Sequence, residues 1–275
     1  MTYRQFVPER RLRPFVHAFW TLTGAESTPG FDLILPDGRA ELVVHRGDRF
    51  RQRLDAGRSC VQASAFVAGQ MESAVAIAPG HAVETLGVTF TPCGLAPLCE
   101  APQHALVDRL VDVRDVATPG LRRLVADVSS APSLPAALEL VQRGLARLYE
   151  SVPLPDSRVQ AALAGIVRSG GEVPMHRLHA ALGSSPRWLE RRFRDQVGIS
   201  PKRLARLTRF QRALAALVAE PVPSCAQVAA GHGYFDQAHF TAEFHAFTGH
   251  APREFVAGRL DELTRAFAGR AAVSH

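Results

Sequence analysis

The sequence predicts an α+β protein in two parts. The first is a β-rich, barrel- or sandwich-like N-terminal domain with helices. The second is an all-α C-terminal domain of two helix-turn-helix units joined by a long helix. Three observations predict this. Short runs of β-branched and aromatic residues, separated by turn residues, fill the first ninety positions. From Asp156 onward, capped amphipathic segments follow one another without a strand-like run. The charge divides at the same place: residues 1–155 hold 16 Arg and 16 Asp/Glu, whereas residues 156–275 hold 16 Lys/Arg against 10 Asp/Glu, so the whole net charge of +6 lies in the second part.

In the first part, Val16–Leu22, Phe31–Leu35 and Ala40–Val44 have strand composition, and Pro36-Asp37-Gly38 reads as a tight turn between the last two. Further strands are expected at Ala65–Ala68, Ser73–Ala78 and Thr85–Phe90. After Pro92-Cys93-Gly94 the pattern becomes helical, with short helices expected at Leu95–Cys99, Gln103–Asp108 and Gly120–Val128. A longer helix at Ser133–Tyr149 has a serine cap, a proline in its first turn, and Leu134, Leu138, Val141, Leu145 and Leu148 along one stripe. That stripe suits packing on its own domain or pairing with a second copy as a homodimer. The proline-bearing segment 151–155 is read as a linker. The expected domains are therefore 1–150 for sensing or oligomerisation, 156–262 for the helical part, and a tail at 263–275.

In the second part, Asp156 or Ser157 can cap a helix that runs to Arg168 and stops at Gly170-Gly171. Pro174–Leu182 and, after a turn at Gly183, a helix capped by Ser185 form the first unit. The latter helix buries Leu189 and Phe193 on one face and gathers Arg187, Glu190, Arg191 and Arg194 on another. Ser200-Pro201 opens a long helix to about Ala219, with Leu204, Leu207, Phe210, Leu214 and Leu217 as its apolar stripe. The pattern then recurs: Cys225–Ala230, a turn at Gly231-His232-Gly233, and a helix from Gln237 to Phe247. Thr248–Pro252 closes this unit as Val197–Pro201 closes the first, in register to within one residue.

Between Arg177 and Arg212 ten basic residues face only Glu190 and Asp195. Such a concentration points to a polyanion, because each neutralised phosphate releases counterions. From Ala213 to Glu262 the balance is reversed, with Arg253 and Arg259 against Glu220, Asp236, Glu243, Glu254, Asp261 and Glu262. The first unit is expected to supply most of the attraction to DNA.

Over residues 156–258 the chain resembles the DNA-binding domain of the AraC/XylS family of bacterial transcription regulators. The resemblance rests on Gly233-Tyr-Phe-Asp-Gln-Ala-His-Phe240 with Phe244, Thr248-Gly249, Pro252 and Phe255, and on Ser185, Leu189, Arg191, Phe193, Gly198, Ser200-Pro201, Arg209-Phe210 and Ala213. It implies that the second helix of each unit enters successive major-groove faces of one double-stranded DNA site, about 34 Å apart. The carried-over contact positions are Ser185, Arg187, Glu190, Arg191 and Arg194 in the first unit, and Gln237, Ala238, His239 and Ala242 in the second. Ala242 departs from the family, which often has arginine there. More loosely, Leu35-Pro-Asp-Gly38, Glu41–Val44 and Val88-Thr-Phe90 with Gly94-Leu95 resemble a β-rich sensor domain that precedes such DNA-binding domains. That implies a small-molecule effector of unstated identity and, for an activator, RNA polymerase as a partner.

Other chemistries find little support. No GxSxG elbow or phosphate-binding glycine loop is present. Cys60, Cys93, Cys99 and Cys225 form no CxxC pair, and His176 and His179, three apart on a helix, have no carboxylate or third ligand nearby, so neither a metal nor a cofactor is expected and no catalytic residue is assigned. Thr91-Pro-Cys-Gly94 resembles the Pro-Cys of Ada-type repair methyltransferases, the alternative reading, but lacks the histidine after the cysteine. A second alternative is an N-terminal domain that only oligomerises. No apolar run approaches the ~18 residues of a membrane span, and the N-terminus lacks a secretory signal, so a cytoplasmic protein is expected.

Overall fold

The computed structural model describes residues 1–25, 30–55, 57–219 and 222–257. The expected tail, together with Glu220, Arg259, Asp261 and Glu262, lies outside them.

Among the described residues, ten strands form two antiparallel sheets in the N-terminal half. The larger has the order β1 (Thr2–Phe6), β2 (Val16–Ala25), β9 (Ala82–Phe90), β4 (Glu41–His45), β7 (Ala65–Ala68) and β10 (Leu110–Asp112). The smaller has the order β3 (Asp32–Ile34), β8 (Val75–Ala78), β5 (Arg51–Asp55) and β6 (Arg58–Val61). Alternate residues of the larger sheet point to opposite layers. Phe19, Leu42, Val44, Val67, Leu86 and Val88 pack toward helices, while Trp20, Leu22, Val43 and Phe66 pack toward the smaller sheet. Both faces are apolar, which is why these strands read as continuous hydrophobic runs rather than as alternation.

The expected hairpin through Pro36-Asp37-Gly38 does not form. β3 pairs with β8, whereas β4 lies between β9 and β7, so the chain changes sheets at this turn. A turn signal fixes a change of direction, not the partner strand. β5 and β6 have no apolar alternation, and β6 is exposed along its length, so neither gave a strand signal.

The short helices at Leu95–Cys99 and Gln103–Asp108 are single 3-10 turns, Ala96–Leu98 and Gln103–Leu106. Three α-helices follow in this half: α1 (Val113–Val116), α2 (Pro119–Ser129) and α3 (Leu134–Tyr149). α3 is capped by Ser133, whose side chain accepts the Ala136 N–H. Its stripe is spent within its own domain: Val141 and Leu145 are buried, and Leu134, Leu138 and Leu148 pack half-buried on the same core. Burying such side chains contributes about 1.5–3 kcal/mol each. Arg46 ties the sheet to α2, donating to the carbonyls of Val128 (2.6 Å) and Ala131 (2.7 Å) while pairing with Glu84. A cation is favourable at that carbonyl-bearing helix end.

The C-terminal half contains α4 (Ser157–Arg168), α5 (Met175–Leu182), α6 (Pro186–Gln196), α7 (Pro201–Leu217), α8 (Cys225–Gly231), α9 (Gln237–Thr248) and α10 (Pro252–Ala257). In α4, α6, α7 and α8 the caps are Asp156, Ser185, Ser200 and Ser224, each accepting a backbone N–H from the first turn. Two units turn at left-handed glycines, Gly183 (φ 55°) and Gly233 (φ 69°), where a Cβ would be strained. The register between the units is constant, pairing Ser185 with Asp236 as helix caps, Phe193 with Phe244 and Gly198 with Gly249. Phe193, Phe210, Phe240, Phe244 and Phe247 form the centre of one core around α7.

The two halves share packing. Leu33, Leu35, Cys93 and Val107 from the first join the core of the second. The Gln211 side chain donates to the Pro36 carbonyl, Arg203 pairs with Glu72 at 2.7 Å, and the Ala74 N–H donates to the Phe247 carbonyl at 2.8 Å.

Candidate nucleic-acid interface and the cavity behind it

α6 presents the arrangement expected from its periodicity. Leu189 and Phe193 are fully buried, and Arg187, Glu190, Arg191 and Arg194 are exposed on the opposite side. These four, with Ser185, Trp188 and Asp195, ring a shallow depression. The Ser185 hydroxyl oxygen accepts the Trp188 N–H at 3.2 Å, capping the helix and bringing its polar end to the surface. Trp188 is braced by the Arg158 guanidinium, 3.8 Å from its ring centre. Among the described residues, none of Arg187, Arg191 and Arg194 is held in an ion pair, so their charge is directed outward.

The arginines of α7 are used differently. Arg206 and Arg209 both pair with Glu243 of α9, at 2.6 and 3.0 Å, Arg203 with Glu72, and Arg212 with Glu172. Glu243 is only 3% exposed. Much of the local charge counted between Arg177 and Arg212 therefore clamps α9 and the N-terminal half onto α7. Spacing located the cations but could not show which were already paired.

α9 carries Gln237, Ala238 and Ala242 on its outer surface, where with Thr241, His245 and Ala251 they line a second depression. In the common register, Ala238, Thr241, Ala242 and His245 stand where α6 has Arg187, Glu190, Arg191 and Arg194. Thr241 was not singled out by sequence reasoning; only the register adds it. His239 is also exposed: its Nδ1 accepts the Phe235 N–H at 3.3 Å, its ring meets Tyr234 edge-on, and with Ala242 it lines a groove shared with Lys202, Arg206, Arg209 and Glu243.

A different feature lies between the two sheets. A mostly apolar cavity of about 90 Å³ is lined by Trp20, Ile34, Val43, Phe50, Phe66, Ile77 and Leu110, with polar groups from His45, Gln62 and Thr85 and charged ones from Asp37, Arg39 and Glu41. His45 Nδ1 is 3.0 Å from the Thr85 hydroxyl and Nε2 is 3.0 Å from Gln62 Oε1. Burial holds the imidazole below its ordinary range, and Arg49 lowers it further against the opposing hydrogen bond from Gln62. Trp20 reaches over Gly87, its cross-strand partner, where a Cβ would lie 2.0 Å from the indole ring. Sequence reasoning missed this site because its residues come from separate strands whose pairing was not legible.

The reactive-cysteine reading finds no support here. Cys93 is 3% exposed, and burial pushes its thiol up to about 12; Cys99 is likewise raised to about 11. A reactive thiol requires the opposite environment. Among the described residues no cluster of three His, Cys, Asp or Glu could hold a metal, and no helix is long and apolar enough to cross a membrane.

Comparison with known proteins assigns the class of the C-terminal part. Residues 178–258 match a family model described as a helix-turn-helix domain, and residues 4–112 match one described as a domain of unknown function (DUF6597). The C-terminal part therefore carries a helix-turn-helix domain. Among solved structures, it is similar to ToxT from Vibrio cholerae at 12% identity and TM-score 0.47, over 87% of this chain and 98% of that one. It is also similar to unsaturated fatty acid bound ToxT from Vibrio cholerae at 12% identity and TM-score 0.42, over 86% and 93%. A shorter likeness, 18% identity and TM-score 0.33 over 44% of this chain and 39% of that one, is to the xylose-binding transcription activator XylR. No curated protein matches the chain by sequence.

Proposed function

We propose that the chain is a one-component, cytoplasmic transcription regulator whose two helix-turn-helix units read one double-stranded DNA site and whose N-terminal half binds a small effector. The observation that carries the DNA reading is the outer face of α6, where Arg187, Glu190, Arg191 and Arg194 are exposed and, among the described residues, in no ion pair, beside a capped N-terminus. In a major groove Arg191 can chelate a guanine edge and Glu190 can accept from cytosine N4, while Arg187 and Arg194 meet phosphates and Ser185 offers its hydroxyl proton. Gln237, Ala238 and Ala242 of α9 enter the next groove face. Selection of bound duplexes from a random pool, followed by sequencing, tests this directly; no enrichment refutes it.

The cavity is the effector site in this reading. It suits a compact, largely apolar molecule with one hydrogen-bonding group beside His45 and Gln62; a charged group would lose its hydration there unless it met Asp37, Arg39 or Glu41 of the lining. For scale, an engineered apolar cavity of about 150 Å³ accepts benzene. The site is also placed to be read out. The segment 34–37 lines the cavity on one side and receives Gln211 of α7 through Pro36 on the other. Gly69 and Met71 line it too, next to Glu72 and Ala74, which hold Arg203 and Phe247. A ligand shifts the DNA-binding half only through its differential affinity for the two arrangements. Thermal-shift screening of the full chain against single-ring and short-chain metabolites, with His45→Leu as control, tests the site.

A further inference from the structure

α6 and α9 agree in position and differ in chemistry. The four outward positions of α6 carry three arginines and a glutamate, whereas their counterparts on α9 are Ala238, Thr241, Ala242 and His245. Just before the cap of α9, Phe235 is 92% exposed, an unusual state for a phenylalanine. α9 itself carries no Arg or Lys, and of the α7 cations that share a groove with its Ala242, Arg206 and Arg209 are spent on Glu243 while Lys202 stands on α7. α9 thus faces outward with methyl groups, one aromatic ring, one amide and one imidazole. At the same time, the buried Glu243 clamp fixes α9 to α7, so that docking α6 on DNA brings α9 with it.

The major groove offers such a surface one matching feature. The thymine C5-methyl is its only apolar group, and Ala and Thr methyls or a Phe ring meet it, while Gln pairs with the N6/N7 edge of adenine. Cytosine offers an N4 amino donor, and guanine two acceptors for which α9 has no Arg or Lys of its own. Recognition helices make their base contacts near their N-terminal ends, where Phe235, Gln237 and Ala238 stand.

We infer that the operator is composite. The segment under α6 contains the G·C pairs, and the segment under α9, about one helical turn away, is A·T-rich and read through thymine methyls by Ala238, Thr241, Ala242 and Phe235, with Gln237 on adenine. This rests on the reading of α6 and α9 as recognition helices.

The test starts from duplexes selected by the full chain out of a random pool. In the best duplex, deoxyuridine replaces thymidine in one segment at a time, which removes the methyl and keeps the pairing. Each contacted methyl lost under α9 should weaken binding about fourfold, and the same replacement under α6 should leave affinity unchanged. Where a selected position is changed to C·G, 5-methylcytosine should recover part of the loss, since it restores the methyl. In Ala242→Ser the uracil penalty should shrink, and Gln237→Ala should relax the choice of adenine at one position. Two G·C-rich segments, or an A·T segment indifferent to uracil, would overturn the inference and leave the α9 face to a protein partner. If no duplex is selected at all, it is the recognition-helix reading itself that fails.

Discussion

The two helix-turn-helix units share a scaffold and diverge at a single surface. Both place a phenylalanine, Phe193 or Phe244, in the same fully buried position, and both close on a left-handed glycine. The residue before that phenylalanine shows how the divergence works. In α6 it is Arg192, which lies against the Trp188 ring at 5.7 Å. In α9 it is Glu243, buried between two arginines of α7. A unit held by an internal ion-pair clamp consumes the cations that a phosphate contact needs. A unit held by apolar packing and cation–π contacts leaves its arginines exposed. The scaffold is conserved between repeats by core packing, while surface charge is free to change.

The strongest test of the clamp is Glu243→Ala. It strands Arg206 and Arg209 against α9 and should cost about 2–4 kcal/mol in urea unfolding of the full chain; Arg192→Ala, its positional counterpart, should cost less than half of that. Equal losses would remove the distinction. Next in size, Arg191→Ala should weaken DNA binding by about 1–3 kcal/mol, and Gln237→Ala by less, in titrations on one selected duplex. An equal or larger loss for Gln237→Ala would reverse the order of the units. A finer measure is the salt dependence of binding. Arg187→Gln and Arg194→Gln should each lower the slope of log affinity against log salt by about 1, whereas Arg206→Gln, already paired, should leave it alone.

His45 is held below its ordinary range in the fold, so as pH falls through about 6.5 the unfolded chain takes up a proton that the folded one refuses. Stability should therefore decline below that pH and be retained above it. Thermal melts of the full chain at pH 7.5 and 5.5 check this, and His45→Gln should flatten the difference.

Glu243 also shows where sequence reasoning stops. Its charge was legible and marked the second unit as poor in cations, but its burial and its pairing with Arg206 and Arg209 were not. The same limit applies to the N-terminal half. The apolar runs at Val16–Leu22 and Ala65–Ala68 announced strands, yet nothing in them shows that Trp20 and Phe66 face a cavity while Phe19 and Val67 face helices. The α3 stripe was read correctly as apolar, and only packing showed that Val141 and Leu145 are already covered.

By itself, the sequence determined what depends on neighbours along the chain: helix caps at Ser133, Asp156, Ser185 and Ser200, the turns at Gly183 and Gly233, and the periodicity that sorts α6 into buried and exposed faces. Those follow from backbone hydrogen bonding and a fixed helical repeat, which act within a few residues. The tertiary structure alone decided strand partners, the crossing between sheets at Pro36–Gly38, the His45 site and the fate of each arginine. These depend on contacts between distant segments, where the cost of burying a charge or a polar group selects its partner.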